Sequence, residues 1–343
     1  MKAIIKETIL KGTRCIPMGM VKSFSVNNSL FPYHHIVSNK SVPHIENIYS
    51  FKSEEGFIKD LDILLKYYEP IHPNELYKEV IEHQRIPKNK FLLTFDDGFR
   101  EVLEVIVPIL EKKGVPAIFF INPAFIDNQS MFYRNEISLL IHLINTRNDN
   151  KTILNSMESQ FHLNLNSLEK LKYYILRIQS NKDPLLTSLK NLFQHDIVEY
   201  QNDCKPWLEQ TELHFVYQKG FSIGAHSWDH PYYKNLSLED QIQQTIRSCD
   251  YVKKFFPEQP VFFSFPHTDK PLKQDFFDAM KVRYPLQPLY FGVQNQKEEL
   301  NNHVIHRFNA EDPKIALKDF SKLILLNNTI QNLLHKYKIK RGT

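Results

Sequence analysis

Phe91-Leu92-Leu93-Thr94-Phe95-Asp96-Asp97-Gly98 is the stretch on which the fold turns. Its first five residues are a nearly continuous apolar run bounded by charged and turn-forming residues. A strand buried on both faces of a parallel sheet reads this way. Val102, Val105, Ile106, Ile109 and Leu110 then recur at helical spacing, and Gly114 supplies a C-terminal stop. Ala117-Ile118-Phe119-Phe120-Ile121 follows as a second buried strand. Strand, helix and strand within about thirty residues form a βαβ unit, whose crossover makes the two strands parallel.

Upstream, Phe57, Leu61, Leu64 and Leu65 predict a helix ending before Pro70, and Asn74 is expected to cap a helix over residues 75–84. Downstream the rhythm changes. Residues 128–204 carry helical periods (Ile137, Leu140, Ile141, Ile144; later Leu168, Leu171, Ile175, Ile178) and little strand character. They read as a helical insertion. Alternation then resumes: strands are predicted over 221–225, 261–265, 288–293 and 303–308, with helices over 209–219, 238–256, 273–281 and 314–335. The expected organisation is a lead-in over 1–52 and a (β/α) domain over 53–343 containing the insertion. Its fold is a barrel or an open doubly wound sheet.

Composition narrows the function classes. With 43 basic against 39 acidic residues, the net charge of +4 demands neither nucleic acid nor an anionic surface as partner. Three cysteines, Cys15, Cys204 and Cys249, make no CxxC pair and read as free thiols of a reducing compartment. Lys2, Lys6 and Glu7 interrupt Met1–Leu10, so that stretch lacks the apolar core of a signal peptide. Val115 to Ile126 is too short to span a bilayer. The expectation is a cytoplasmic protein without a transmembrane segment, reaching a membrane surface through a partner or a lipid-linked substrate. The oligomeric state is left open.

In parallel α/β folds, chemistry gathers beyond the C-terminal ends of the strands. Asp96-Asp97, His226-Ser227-Trp228-Asp229-His230-Pro231, Pro266-His267 and His306-Arg307 all lie there. Two histidines four apart face the same way if the residues between them make one helical turn. A carboxylate from another strand then completes a facial three-ligand site with positions left for water. Of two adjacent carboxylates, one can bind a divalent metal while the other accepts a proton. Taken singly, each group has a structural reading as well: Asp-Asp-Gly as a turn with a helix cap, a lone histidine as a hydrogen-bonded core residue.

Leu93-Thr94-Phe95-Asp96-Asp97-Gly98 and His226-Ser227-Trp228-Asp229-His230-Pro231 together resemble the first two motifs of the polysaccharide deacetylases, the family with a NodB homology domain. Tyr33-His34-His35 resembles the family's lead-in, and the likeness covers roughly residues 30–126 and 207–310. The resemblance implies a distorted (β/α) barrel, usually of seven strands. It implies removal of N- or O-acetyl groups from a carbohydrate with a divalent metal, often zinc; for this chain the N-acetyl group is the expected target. Asp97, His226 and His230 would be the metal ligands, and Asp96 the general base. The backbone N–H after Pro266 would help to hold the oxyanion.

Two departures stand out. Where the family commonly has Arg-x-Pro-Tyr, this chain has Ser264-Phe265-Pro266-His267, so the arginine that orients the base is missing. Arg134 of the insertion is the expected substitute. The late general-acid histidine has no clean match: His306 is nearest, with a structural role competing, and His267 is the alternative. Trp228, Tyr232, Tyr233 and Phe132 are candidate walls for a sugar ring. The expected activity is deacetylation of an N-acetylated sugar or polysaccharide precursor. The competing readings are a catalytically impaired metal- and carbohydrate-binding protein, and an amidohydrolase of a non-sugar C–N bond.

Overall fold

The strand expected over 117–121 forms, and all five of its residues are buried. Ala117, Phe119 and Ile121 belong to one apolar cluster, whereas Ile118 and Phe120 belong to another. This is the period-2 alternation of a strand with no solvent face. The structure, a computed structural model, describes residue 12 and residues 15–147 and 150–342. Met1–Leu10, read above for a leader, lies outside the described residues, as do residues 148 and 149 of the expected insertion.

The strands in chain order are β1 (Pro32–His34), β2 (Glu69–Pro70), β3 (Lys90–Phe91), β4 (Leu93–Phe95), β5 (Ala117–Ile121) and β6 (Ser222–Ala225), followed by β7 (Phe262–Ser264), β8 (Leu289–Gly292), β9 (Glu298–Glu299), β10 (Val304–His306) and β11 (Phe308–Asn309). β2 and β3 make a separate parallel pair. The other nine form one sheet in the order β11-β1-β4-β5-β6-β7-β8-β10-β9, parallel except for β9.

The strand expected over 303–308 is two strands broken at Arg307. β10 bonds β8, and β11, one residue later, bonds β1 at the other end of the order. One short segment therefore joins both ends of the sheet and curls it into the expected distorted (β/α) barrel. The strand count departs from seven because this closing segment counts twice and β9 adds an antiparallel edge. Inside lie Phe31, Leu92, Ile118, Phe120, Phe262, Leu289, Phe291 and Ile305, with Leu76 and Val80 of the helix Pro73–Ile81. Each such side chain contributes roughly 1.5–3 kcal/mol by leaving water.

The remaining local differences have simple causes. The helix Pro73–Ile81 is capped by His72, whose ring accepts from the Asn74 N–H, because Pro73 suits the first helical position. The helix after Asp97 opens with a π turn, Val102–Ile106, before Val107–Lys113, and Gly114 ends it in the left-handed region.

The chain divides into two units by contact, one of residues 1–39, 51–126 and 208–343, which holds the barrel, and one of residues 40–50 and 127–207. Residues 40–50 of the lead-in thus group with the helical segment. That second unit carries the helices Tyr133–Thr146, Asn150–Phe161, Leu168–Ile175, Pro184–Leu192 and Gln194–Cys204. Asn135 donates to the His44 carbonyl at 2.9 Å, and Ser138 to that of Pro43 at 2.7 Å. Among the described residues, no helix is long and apolar enough to cross a membrane.

Candidate active site

Alternation along the strands decides which polar side chains meet at the open end of the barrel. On β4, Leu93 and Phe95 face the outer cluster, so Thr94 and Asp96 face inward. On β7, Phe262 faces inward and Phe263 outward, which turns Ser264 in. On β10, Val304 faces out and Ile305 in; His306 therefore points out and Arg307 in. Arg307 is fully buried. It donates to Asp96 through two parallel bonds (Nη1–Oδ1 2.7 Å, Nη2–Oδ2 2.9 Å), to Thr94 Oγ1 at 2.8 Å and to Ser264 Oγ at 2.5 Å. Its guanidinium also lies 4.7 Å from the centre of the Tyr33 ring.

Asp97 should point outward by the same alternation. Instead its φ is +74°, followed by +68° at Gly98, and this left-handed turn swings it toward the histidines. Gly98 is required there, because a Cβ would stand 2.9 Å from Ile121 Cγ2. His226 Nε2 lies 3.6 Å from Asp97 Oδ1, and His230 Nε2 lies 3.4 Å from the same oxygen. The two histidines converge through a bent loop with positive φ at Ser227 and His230, not through the expected helical turn. Ser227 Oγ accepts from the His230 N–H, and Asn122 donates to the His226 and Ser227 carbonyls.

The ring of His226 donates from Nδ1 to the Ser264 carbonyl at 2.8 Å, which fixes its tautomer and turns the lone pair of Nε2 toward the space beside Asp97. Burial, with the neighbouring His267, His226 and His35, holds the His230 pKa well below its ordinary value, so the ring stays neutral. Asp97 Oδ1 is buried without a hydrogen-bond partner among the described residues. Two imidazole nitrogens and a carboxylate oxygen converging in this way fit a divalent cation.

His35 faces the same carboxylates. Its Nδ1 bonds Glu311 Oε2 at 2.8 Å, and its N–H donates to Glu311 Oε1 at 2.5 Å. Burial opposes its charge, but Glu311, Asp97 and Asp96 prevail and raise its pKa to about 10. Burial likewise favours the neutral acid at Asp96, yet Arg307 and His226 outweigh it and keep the carboxyl below its usual range. For Asp97, burial prevails and raises the pKa.

Some expectations are corrected. His306 does not reach this site; its Nε2 bonds Glu299 at 2.9 Å on the outer face. Arg134 does not hold Asp96. It donates to the Leu176 and Ile178 carbonyls within the second unit, and Arg307 holds Asp96 instead. Trp228 packs beneath Arg247, 3.4 Å from its ring centre, and against Tyr251; Tyr233 is buried and bonded to Thr245. Neither joins the cluster, and Phe132 lies in the second unit. His267 does: its ring is 4.4 Å from that of His230 and stacks on Tyr232 at 3.6 Å. Pro266, just before it, accepts from the Thr268 N–H at 2.6 Å.

The polysaccharide deacetylase family profile matches residues 83–275. No curated protein matches the sequence. Among solved structures, the chain resembles the Streptococcus pyogenes deacetylase PplD in complex with acetate (15% identity, 92% of this chain and 100% of that one, TM-score 0.53). It also resembles IcaB from Ammonifex degensii (12%, 88% and 98%, 0.53). A de-N-acetylase from Aggregatibacter actinomycetemcomitans is similar as well (14%, 87% and 99%, 0.53).

Proposed function

The chain belongs to the polysaccharide deacetylase family, hydrolases of the deacetylase type, and from that premise we propose that it removes an N-acetyl group from a sugar with the help of a divalent metal, zinc. The observation that carries the reading is the convergence of Asp97, His226 and His230 beside an Asp96 already held by Arg307. Asp97, His226 and His230 would hold the ion. When bound, it supplies Lewis-acid polarisation of the acyl carbonyl and lowers the pKa of water to about 7.

The chain's own residues do the rest. Asp96 takes the proton of the water as its oxygen attacks the acyl carbon. Arg307 keeps that carboxylate ionised and aimed, with both oxygens engaged. As the C–N bond breaks, the amine nitrogen takes a proton from the His35 imidazolium, which Glu311 holds charged. Acetate and a free amine result. His267, beside His230, would line the acyl end of the site, with its own N–H following Pro266.

The catalytically impaired reading rested on a missing arginine, and Arg307 removes that ground. The test is acetate release from N-acetylglucosamine oligomers and from O-acetylated xylan, measured with the zinc-loaded and the chelated protein. Metal-dependent release from the amide is expected, together with a loss of about 100-fold or more in turnover for His35→Gln. Release from the ester alone would overturn the N-acetyl assignment, and release unaffected by chelation would overturn the metal.

A further inference from the structure

The outer face of β10 carries a second buried constellation, formed by Asp269, Glu299 and His306. Arg341, from the C-terminal segment, fills it. Its Nη2 lies 2.6 Å from Asp269 Oδ2 and 2.7 Å from Glu299 Oε2, its Nε 2.7 Å from Glu299 Oε1, and its Nη1 2.5 Å from the Asp269 carbonyl. The segment that delivers it is pinned on both sides: the Ile339 N–H donates to the Glu298 carbonyl, and the Gln274 N–H to that of Gly342.

Asp269 in turn organises the loop after β8. It accepts from the Val293 N–H at 2.9 Å and from the Gln294 side chain at 2.5 Å. The same loop holds Arg307 by its backbone: the Arg307 N–H donates to the Gly292 carbonyl at 2.8 Å, and the Asn295 N–H to the Arg307 carbonyl at 3.1 Å. His306 fills the space that Gly292 leaves open, where a Cβ would meet the imidazole and stand 2.8 Å from Asp269 Oδ1. A continuous chain of short bonds thus runs from Arg341 through Asp269 and the loop to Arg307, and from Arg307 to Asp96.

We propose that Arg341 is a positioning residue for the reaction: by clamping Asp269 and Glu299 around His306 it fixes the backbone from which Arg307 holds Asp96. The proposal rests on the reading of Asp96 as the base. Arg341 bonds Asp269, Glu299 and Leu272 and none of Asp96, Asp97, His226 and His230; its effect is to keep the base aimed, and turnover depends steeply on such alignment.

The experiment compares Arg341→Met and Arg341→Lys with the full-length parent. Steady-state deacetylation, metal content and hydrogen exchange of the arginine guanidinium groups by nitrogen-15 NMR are read on each. Arg341→Met is expected to lower kcat about 10-fold or more while KM stays within about two-fold and metal content is unchanged. Arg307 exchange should quicken by a similar factor, while that of Arg100, paired with Glu212 at 2.9 Å elsewhere in the barrel unit, should not. Arg341→Lys should recover part of both effects, and it serves alone if the methionine variant does not fold. A lowered melting temperature with kcat and Arg307 exchange unchanged would overturn the proposal. If the parent binds metal but releases no acetate, the functional reading fails, and Arg307 exchange still decides whether Arg341 positions that arginine.

Discussion

The barrel contains two buried groups of nearly the same composition with opposite fates. One is Asp97, His226 and His230 at the open end; the other is Asp269, Glu299 and His306 on the outer face. In the outer group the chain's own guanidinium sits between the carboxylates, and Val293, Gln294 and Asn302 satisfy the remaining oxygens. In the inner group the arginine goes one residue aside, to Asp96, and Asp97 Oδ1 is left buried without a hydrogen bond among the described residues. Buried carboxylates must be neutralised or charge-paired. The comparison teaches that residue type does not mark a cation site; what marks it is whether the fold has already supplied the cation.

Removing a donor from the inner group should have the largest effect. Asp97→Ala or His230→Ala is expected to weaken zinc binding at least about 100-fold and to abolish measurable acetate release. Metal analysis of the parent should return one equivalent. A second equivalent would show that Arg341 does not occupy the outer group, and would break the comparison. Next comes the arginine beside the inner group. Arg307→Met leaves Asp96 buried and unpaired, with a cost of about 3–5 kcal/mol in chemical denaturation and about 100-fold or more in turnover. Adding Asp96→Asn should return much of the stability and none of the turnover.

Smaller changes probe the outer group. Gly292→Ala drives a methyl into His306 and Asp269 and should destabilise the fold by about 1–3 kcal/mol with metal content intact. The smallest expected effect is on pH dependence. Burial favours the neutral acid at Glu299, but the bonds from His306 and Arg341 outweigh it and hold its pKa below the ordinary 4.5. A depressed carboxylate stabilises fully above its unfolded value, and that contribution is lost as pH falls through the folded one. Melting temperatures of Glu299→Gln should therefore fall less steeply than those of the parent below about pH 4.5. Parallel curves would remove Glu299 from the account.

Much of the fold is legible because it rests on local pattern: the apolar runs at 91–95 and 117–121 and the helical periods between the later strands need no partner to be read. The convergence of Asp97, His226 and His230 is legible too, since they carry their motifs with them. Arg307 is not, because its role comes from closure of the sheet, which sets it against an aspartate 211 positions away. A signal existed: in a strand read over 303–308, His306 and Arg307 must face opposite sides, so only one of them can reach the barrel interior. Ile305 in the core assigns that place to Arg307. Glu311 offers no local signal, and His35 gains its charge from Glu311, far along the chain. The Arg134 expectation fails because nothing in the residues around position 134 shows that Leu176 and Ile178 offer it carbonyls.

The seam at Arg307 also sets an order of maturation. Asp97, His226 and His230 follow β4 and β6, so they are synthesised well before the segment that closes the barrel. A growing chain that has passed Phe265 already owns Asp97, His226, His230 and the Ser264 carbonyl that orients His226. It does not yet own the guanidinium for Asp96 or the carboxylate for His35, which arrive with Arg307 and Glu311. Ring closure, the seating of Arg307 on Asp96 and the seating of Glu311 on His35 are therefore one event, whereas the Asp97, His226 and His230 group needs only segments made before it.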